Sequence, residues 1–377
     1  MARRWDFISD SRVDGLPTDW RSDVAGRVLD LLGNCLAALS GRPAEAVAAT
    51  VGEWGGSPQA TVIGSATRLP APSAALVNGT LAHSLDFDDT HLPSVLHPSA
   101  AVVPAALAVA EQTDASGPAF CDAMTIGVEA TCRLGMAGYD EQNANSVFFD
   151  RGQHATVNCG TVGAAVAAGM LRGLSAARRT SAIGRACSMG SGIIEANRTG
   201  GTVKRVHCGW AAHAGVEAAL RIRRRDVDPA VITELTLGVP EPVLRTIAEP
   251  IEDECRPLSG YHGAFSGPYT VADPARFALA ARVTPVADPE CTRIFPHQFP
   301  AVLTVRLADG TVLEERVRHN LGGPENPLSA AELTARFRMN ARRAVDDAVA
   351  GALAALVTGL AWDIGPTAIT GLLRSAT

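Results

Sequence analysis

Residues 159–175, CGTVGAAVAAGMLRGLS, restrict this chain more than any other stretch. They are apolar but carry little bulk, being mostly Gly, Ala and Val. A helix of such residues is stable only where other helices come close enough to fill the space its small side chains leave. The same character recurs in SAALVNGTLAHSL (73–85) and in GWAAHAGVEAALRIRRR (209–225). Aromatic residues make up only 5% of the chain while 47% is hydrophobic, which favours close-packed helices over a β-sandwich.

The elements follow from periodicity. Val24, Val28, Leu31, Leu32, Cys35, Leu36 and Leu39 recur at three- and four-residue steps, an amphipathic helix over 21–40. A second helix is expected over 43–54, then a short β-like run, ATVIG, and a helix over 73–85. His97-Pro98-Ser99 opens a helix running to about Glu111, with proline near its first turn. Another covers 117–137. The polar segment 139–156 reads as a loop crossing a site. Ser175 is an N-cap candidate for the next helix, with Gly190 and Gly192 as its stop. A loop over 193–208 and a helix over 209–225 complete an all-α domain at 1–225. The character then changes: AVITELTLGVPEPVL is strand-like, and AVLTVRLADGTVLEERVRHN is a hairpin turning at Asp309-Gly310. The expected fold is mainly α, a large all-α helical domain with a smaller α+β domain at 226–335. Helices at 329–346 and 346–362 follow, and those from about 340 to 377 are placed to pack back on the first domain.

Several function classes fall away. The net charge is −6, and the densest basic group, Arg221 with Arg223 to Arg225, reads as a solvated helix end rather than a nucleic-acid surface. No apolar run suggests a membrane span. The opening MARRWDFISDSRVDG has no apolar h-region after it, so the expectation is no signal peptide and a cytoplasmic protein. The eight cysteines include no C-x-x-C pair and sit mostly in apolar runs. They read as buried free thiols in a reducing compartment, which argues against a cysteine-ligated cluster.

Chemistry concentrates in HSLDFDDTHLPSVLHPSAA (83–101), with Asp86, Asp88, Asp89, Thr90, His83, His91 and His97. Titratable groups between apolar helices are expensive to desolvate unless paired, so they mark a site. Asp86 to Thr90 spells D-x-D-x-T, but the phosphohydrolase reading needs a preceding buried strand, and here a helical run precedes. A metal site lacks the paired-histidine spacing on one helix face. The remaining alternative is a helix end whose carboxylates are solvated or hold a loop. Elsewhere, Lys204 is the sole lysine among 33 basic residues. A composition that replaces every other lysine with arginine keeps one where a compact, tunable amine is needed. His154, before the Gly/Ala helix, reads alone as a capping or core residue, and His207 as structural. Gly200 and Gly201 before Lys204 make only a weak phosphate cradle, since Arg205 follows where a P-loop needs Ser or Thr.

Together the stretches NGTLAHSLDFDDTHLPSVLHPSAAVVPAALAVAE (78–111), RGQHATVNCGTVGAAVAAGMLRGLS (151–175), GGTVKRVHCGWAAHAGVEAA (200–219), GYHGAFSGPYTVA (260–272) and GGPENPLSAAEL (322–333) resemble the MmgE/PrpD family. That family includes 2-methylcitrate dehydratases, cis-aconitate decarboxylase and iminodisuccinate epimerase. The resemblance implies an all-α domain, a smaller α+β lid domain, a site between them and a homodimer, with no metal and no organic cofactor. By motif match it points to Asp86, Thr90, His97, His154 and Lys204.

Such enzymes move protons at a carbon next to a carboxylate of a small di- or tricarboxylate. That needs a base and an acid, assigned here to His154 and His97. It also needs a cation for the enediolate charge, which Lys204 supplies while also binding substrate. Asp86 would orient an imidazole and Thr90 would bond a substrate carboxylate. The expected activity is a cofactor-independent lyase of the 2-methylcitrate dehydratase type. The alternatives are an epimerase, a decarboxylase, or a degenerate dimeric member. Two departures from the family stand out. RIRRR runs directly into DVDPAVITEL without the family's second lysine segment, and Gln153 replaces an aromatic residue.

Overall fold

The structure, a computed structural model, describes residues 18–142, 145–195, 199–221, 289–294, 301–306, 312–319, 322–323, 325–360 and 364–374. It is mainly α. Helix α1 (Thr18–Leu39) buries Val24, Val28, Leu31, Leu32, Cys35 and Leu36, the stripe its periodicity predicts. Helix α2 (Glu45–Trp54) leads into a short antiparallel pair, β1 (Ala60–Thr61) with β2 (Arg68–Leu69). Asn78 fastens this pair: its Oδ1 accepts from Ile63 N–H at 2.9 Å and its Nδ2 donates to Thr61 O at 2.9 Å.

Helix α3 (Ala71–Ala82) is buried on every side, as a helix apolar all round must be. It packs on α4 (Ser99–Thr113) and α9 (Lys204–Leu220) as well as on α1; α7 (Ala155–Leu171), preceded by the short α6 (Val147–Asp150), packs in turn on α4, α5 (Gly117–Ala137), α8 (Ala176–Met189) and α9. Small residues set the spacing. A Cβ on Gly209 of α9 would lie 2.2 Å from Leu76 O of α3, and one on Gly215 would lie 2.5 Å from Ala164 Cβ of α7. The close packing that the Gly- and Ala-rich runs imply is met at these glycines, where the helix backbones come together.

The polar segment after α5 is more ordered than a crossing loop, holding the pair β3 (Tyr139–Asp140) and β4 (Asn145–Ser146) as well as α6. Ser175 does precede α8, but its side chain makes no capping hydrogen bond. The expected 193–208 loop is shorter than predicted, because α9 begins at Lys204. Among the described cysteines, Cys35, Cys121, Cys132, Cys159 and Cys208 are buried free thiols, whereas Cys187 is exposed.

Farther along, α10 (Pro289–Ile294) precedes the hairpin β5 (Ala301–Arg306) and β6 (Val312–Val317), which pair antiparallel from Ala301↔Val317 to Arg306↔Val312. The expected strand over AVITELTLGVPEPVL, the boundary at 225 and Arg223 to Arg225 lie outside the described residues. Helix α11 (Ala330–Ala341) starts with a complete Ser329–Glu332 capping box. Helix α12 (Asp347–Gly359) is capped by the Asp346 carboxylate, which accepts from Val349 N–H. Both pack on α1, with Phe337 fully buried against Gly33. Helix α13 (Pro366–Arg374), beyond the predicted end near 362, buries Ile369 and Leu373. Among the described residues no helix is long and apolar enough to cross a membrane.

Candidate active site

Helix α3 stops at Ala82, and the chain turns at once. His83 N–H donates to Gly79 O, and Asp86 adopts the left-handed conformation with φ 52°. Asp tolerates this conformation better than most residues. A short 3₁₀ turn (Leu92–Ser94) and a bridge between His91 and Leu96 then return the chain to α4. The cluster in 83–101 is therefore a compact loop between two buried helices.

Its three carboxylates divide the work. Asp89 is structural: it accepts from Ser99 N–H at 3.1 Å and Ser99 O–H at 2.7 Å, and pairs with Arg27 of α1 at 2.7 Å. Asp88 is buried and accepts from His83, whose Nδ1 lies 2.8 Å from Oδ2 and 3.0 Å from Oδ1. Asp86 Oδ1 accepts from the Lys204 ammonium at 2.6 Å. His83 Nε2 lies 3.5 Å and His97 Nε2 3.8 Å from that same oxygen.

His97 Nδ1 lies 3.1 Å from Asp89 O and 3.4 Å from Thr90 Oγ1, so Thr90 stands at the exposed edge of the cluster. His97 N–H donates to Thr156 Oγ1 in the first turn of α7. His154 precedes that helix. Its backbone N–H donates to Gly192 O, and its Nδ1 lies 3.3 Å from His207 Nδ1. Lys204 and His207 are three residues apart at the start of α9, on one face. The rings form a row: His97 to His83 at 4.9 Å between centroids, His83 to His154 at 5.8 Å, and His154 to His207 at 5.4 Å.

Charge follows from this packing. Burial works to raise the Asp86 carboxyl, but Lys204, His83 and His97 outweigh it and hold it below its ordinary value. Burial likewise opposes ionisation of Asp88, and His83 and His97 overcome it, leaving it lowered. Burial, then Lys204, pushes His154 well below the usual imidazole value. His207 falls to about 4 for the same first reason, with His83 and Lys204 adding to it. His83 is lowered by burial, with Asp88 pulling the other way.

His83, Asp88 and His97 place one donor atom each within 4.8 Å of one another, a trio that could hold a metal ion. Their chemistry favours protons instead. His83 Nδ1 and Asp88 are committed to each other, and the Lys204 ammonium already occupies the adjoining carboxylate. A cleft of about 770 Å³ opens beside Asp86, Phe87 and Thr90, bordered across by Asp30, Leu328 and Arg336.

The structure thus brings Asp86, Thr90, His97, His154 and Lys204 to one locality. Sequence reasoning singled out neither His83 nor Asp88 for a role and read His207 as structural. The i, i+3 spacing from Lys204 was the available signal for His207. Nothing in spacing ranked His83 and Asp88 above their neighbours.

Helical packing around a carboxylate–imidazole–ammonium cluster defines the class, a mainly α protein with an internal cluster of titratable groups. Residues 5–244 match the MmgE/PrpD N-terminal domain and residues 270–360 the MmgE/PrpD C-terminal domain, and the chain belongs to this family. It is 38% identical over 157 residues to human cis-aconitate decarboxylase, covering 40% of this chain and 31% of the relative. It is 32% identical over 218 residues to a cis-aconitate decarboxylase-like protein of Aspergillus oryzae, covering 55% and 44% respectively. Aspergillus terreus cis-aconitate decarboxylase is 32% identical over 164 residues, covering 42% and 32%. Each match spans less than half of the relative's length.

Proposed function

We propose that this protein is a cofactor-independent lyase that moves protons next to a carboxylate of a small di- or tricarboxylate. One observation carries the reading: the sole lysine is buried with its ammonium 2.6 Å from Asp86, beside two imidazole Nε2 atoms. Fixed positive charge in a dry setting stabilises an enediolate where it forms, and imidazoles exchange protons near neutral pH. In this scheme Lys204 meets the developing negative charge, and Thr90 bonds a substrate carboxylate. His154, kept neutral by burial and Lys204, is the base; His97 is the acid.

The names of the relatives favour decarboxylation over the dehydration that the sequence alone suggested. In decarboxylation the electron pair of the broken C–C bond remains on carbon, is delocalised into the neighbouring carboxylate, and is quenched by a proton from His97. In dehydration His154 takes a proton from carbon and His97 gives one to the departing hydroxyl. The proposal extends to a cytoplasmic homodimer with a helical domain at 1–225 and a smaller domain at 226–335.

A panel of hydroxy-, unsaturated and amino-polycarboxylates tests it. Decarboxylation releases CO2, dehydration creates ultraviolet-absorbing unsaturated acid, and epimerisation exchanges C–H in D2O. CO2 or unsaturated product supports a lyase. Exchange alone replaces it with an epimerase, and silence from the whole panel leaves a non-catalytic member.

A further inference from the structure

His83 and Asp88 have no part in that scheme, yet both side chains are fully enclosed, at 0% exposure. A buried carboxylate keeps its charge only against a compensating partner, and Asp88 has the imidazole of His83 at 2.8 Å and His97 Nδ1 at 3.5 Å. The hydrogen bond to Asp88 settles the tautomer: Nδ1 carries the proton, so Nε2 carries the lone pair. That Nε2 is buried without a hydrogen-bond partner among the described residues, 3.5 Å from Asp86 Oδ1. A base held by a carboxylate on one nitrogen and bare on the other is the arrangement that accepts protons. The groups facing His83 are Asp86, Asp88, His97, His154, His207 and Lys204. Asp86 and Asp88 bring two negative charges against one ammonium, so a single proton shared among the imidazoles balances the cluster.

We propose that the His83–Asp88 pair is the proton store of this site: His83 Nε2 exchanges a proton with His97 through Asp86 Oδ1, and Asp88 stabilises the imidazolium that results. Loading breaks the N–H bond at His97 Nε2 and forms one at His83 Nε2 by way of Asp86 Oδ1; once His97 has given its own proton to the product, the transfer runs back, breaking N–H at His83 Nε2 and re-forming it at His97 Nε2. No electrons are gained or lost. His97, with its side chain 17% exposed, faces the reaction, and His83 restores its protonation state from behind. His83 is therefore a positioning residue rather than one that touches substrate. This inference rests on the acid–base reading above.

The test uses the full chain. His83→Asn places an amide N–H where Nδ1 stood, keeping the donor to Asp88 while deleting Nε2. The expected result is a near wild-type melting temperature and KM with kcat reduced about a hundredfold and its pH profile displaced. Asp88→Asn donates to His83 instead, and should drive the proton from Nδ1 to Nε2, read by ¹⁵N NMR of labelled imidazoles. Wild-type kcat and pH profile in His83→Asn would overturn the proposal. So would a wild-type His83 that keeps Nε2 bare down to the pH where Asp88 itself protonates. The NMR readout needs no turnover. If the substrate panel is silent, the lyase reading fails by itself, and the order in which His83 Nε2 and Asp88 take up protons still decides the pair.

Discussion

Lys204 concentrates the chemistry of the site into one atom. Its Nζ holds Asp86 Oδ1 at 2.6 Å in a space that leaves the residue 4% exposed. Arginine keeps the charge but spreads it over a larger planar group that does not fit a compact ammonium's place. Lys204→Arg should therefore lower kcat by about 10²–10³, the usual loss when one fixed donor to a developing anion is removed. Steady-state kinetics with a melting curve checks this, and near wild-type turnover would end the role given to the lysine. The imidazoles also predict a pH dependence of folding. Burial lowers His83 and His154 and brings His207 to about 4, so in the window below the ordinary imidazole value the unfolded chain binds more protons. Stability is full above that window and is lost as pH falls through it. Asp30, raised to about 6 by burial despite Arg336, acts oppositely between its unfolded value and 6. The three imidazoles outnumber it, so denaturation midpoints should fall from pH 7 to 4.5, and His207→Asn should flatten the slope. A midpoint that rises on acidification would contradict the burial of these rings.

At the scale of elements, the site is the meeting of two helix ends: α3 delivers His83 and Asp86 at its C-terminus, and α9 delivers Lys204 at its N-terminus. Their separation is set where Gly209 crosses Leu76 and Thr80. Gly209→Ala would place a Cβ 2.2 Å from Leu76 O and 2.5 Å from Thr80 Oγ1, contacts only a helix shift relieves. The expected cost is about 1–3 kcal/mol of stability, typical of overpacking. Activity should also fall as the Lys204–Asp86 contact opens. Gly52→Ala is the control: nothing lies within 4 Å of its Cβ in α2, so it should stabilise by about 0.5–1 kcal/mol. Equal melting temperatures for the two variants would refute the crossing argument. The same glycine shows what the sequence could and could not convey. Periodicity locates α1, which buries one apolar stripe, whereas α4 and α7 are legible from a proline in the first turn and from Gly/Ala content, and both are buried almost all round. The sequence places the start of α9 at Gly209 rather than Lys204, whereas that glycine lies inside the helix and its reason is a neighbour 133 positions away, Leu76. Likewise 118 positions separate Lys204 from Asp86, a pairing that local spacing cannot encode. Motif resemblance supplied Asp86 and Lys204, but the roles of His83 and Asp88 emerge only when the turn after α3 is seen in three dimensions.

At the scale of the whole molecule, the C-terminal helices support the turn that carries Asp86 and Asp88. Arg336 of α11 donates to Phe87 O at 2.5 Å, between Asp86 and Asp88, and its guanidinium stacks 3.9 Å from the centre of the Phe87 ring. From α1, Asn34 Nδ2 donates to the same carbonyl at 3.1 Å and is itself held by Asn340 of α11. Asp30 faces Arg336 Nε at 2.7 Å in a charge contact that is not aligned as a hydrogen bond. Two helices far apart in the chain thus clamp the one carbonyl between half-buried Asp86 and buried Asp88. Arg336→Met keeps the apolar body and removes the donors, so stability should fall by about 1–2 kcal/mol. The loosened turn should lower kcat/KM at least about tenfold, since small displacements of reacting groups are costly. Phe337→Ala on the same helix empties a fully buried site and should cost more stability, about 3–5 kcal/mol. Its side chain packs on Gly33 rather than on the turn, so activity per folded molecule should hold at a permissive temperature. The two variants should therefore rank in opposite order for stability and for activity. If Phe337→Ala loses activity per folded molecule as fully as Arg336→Met, the helix as a whole sets the turn, and the clamp on Phe87 O has no separate part.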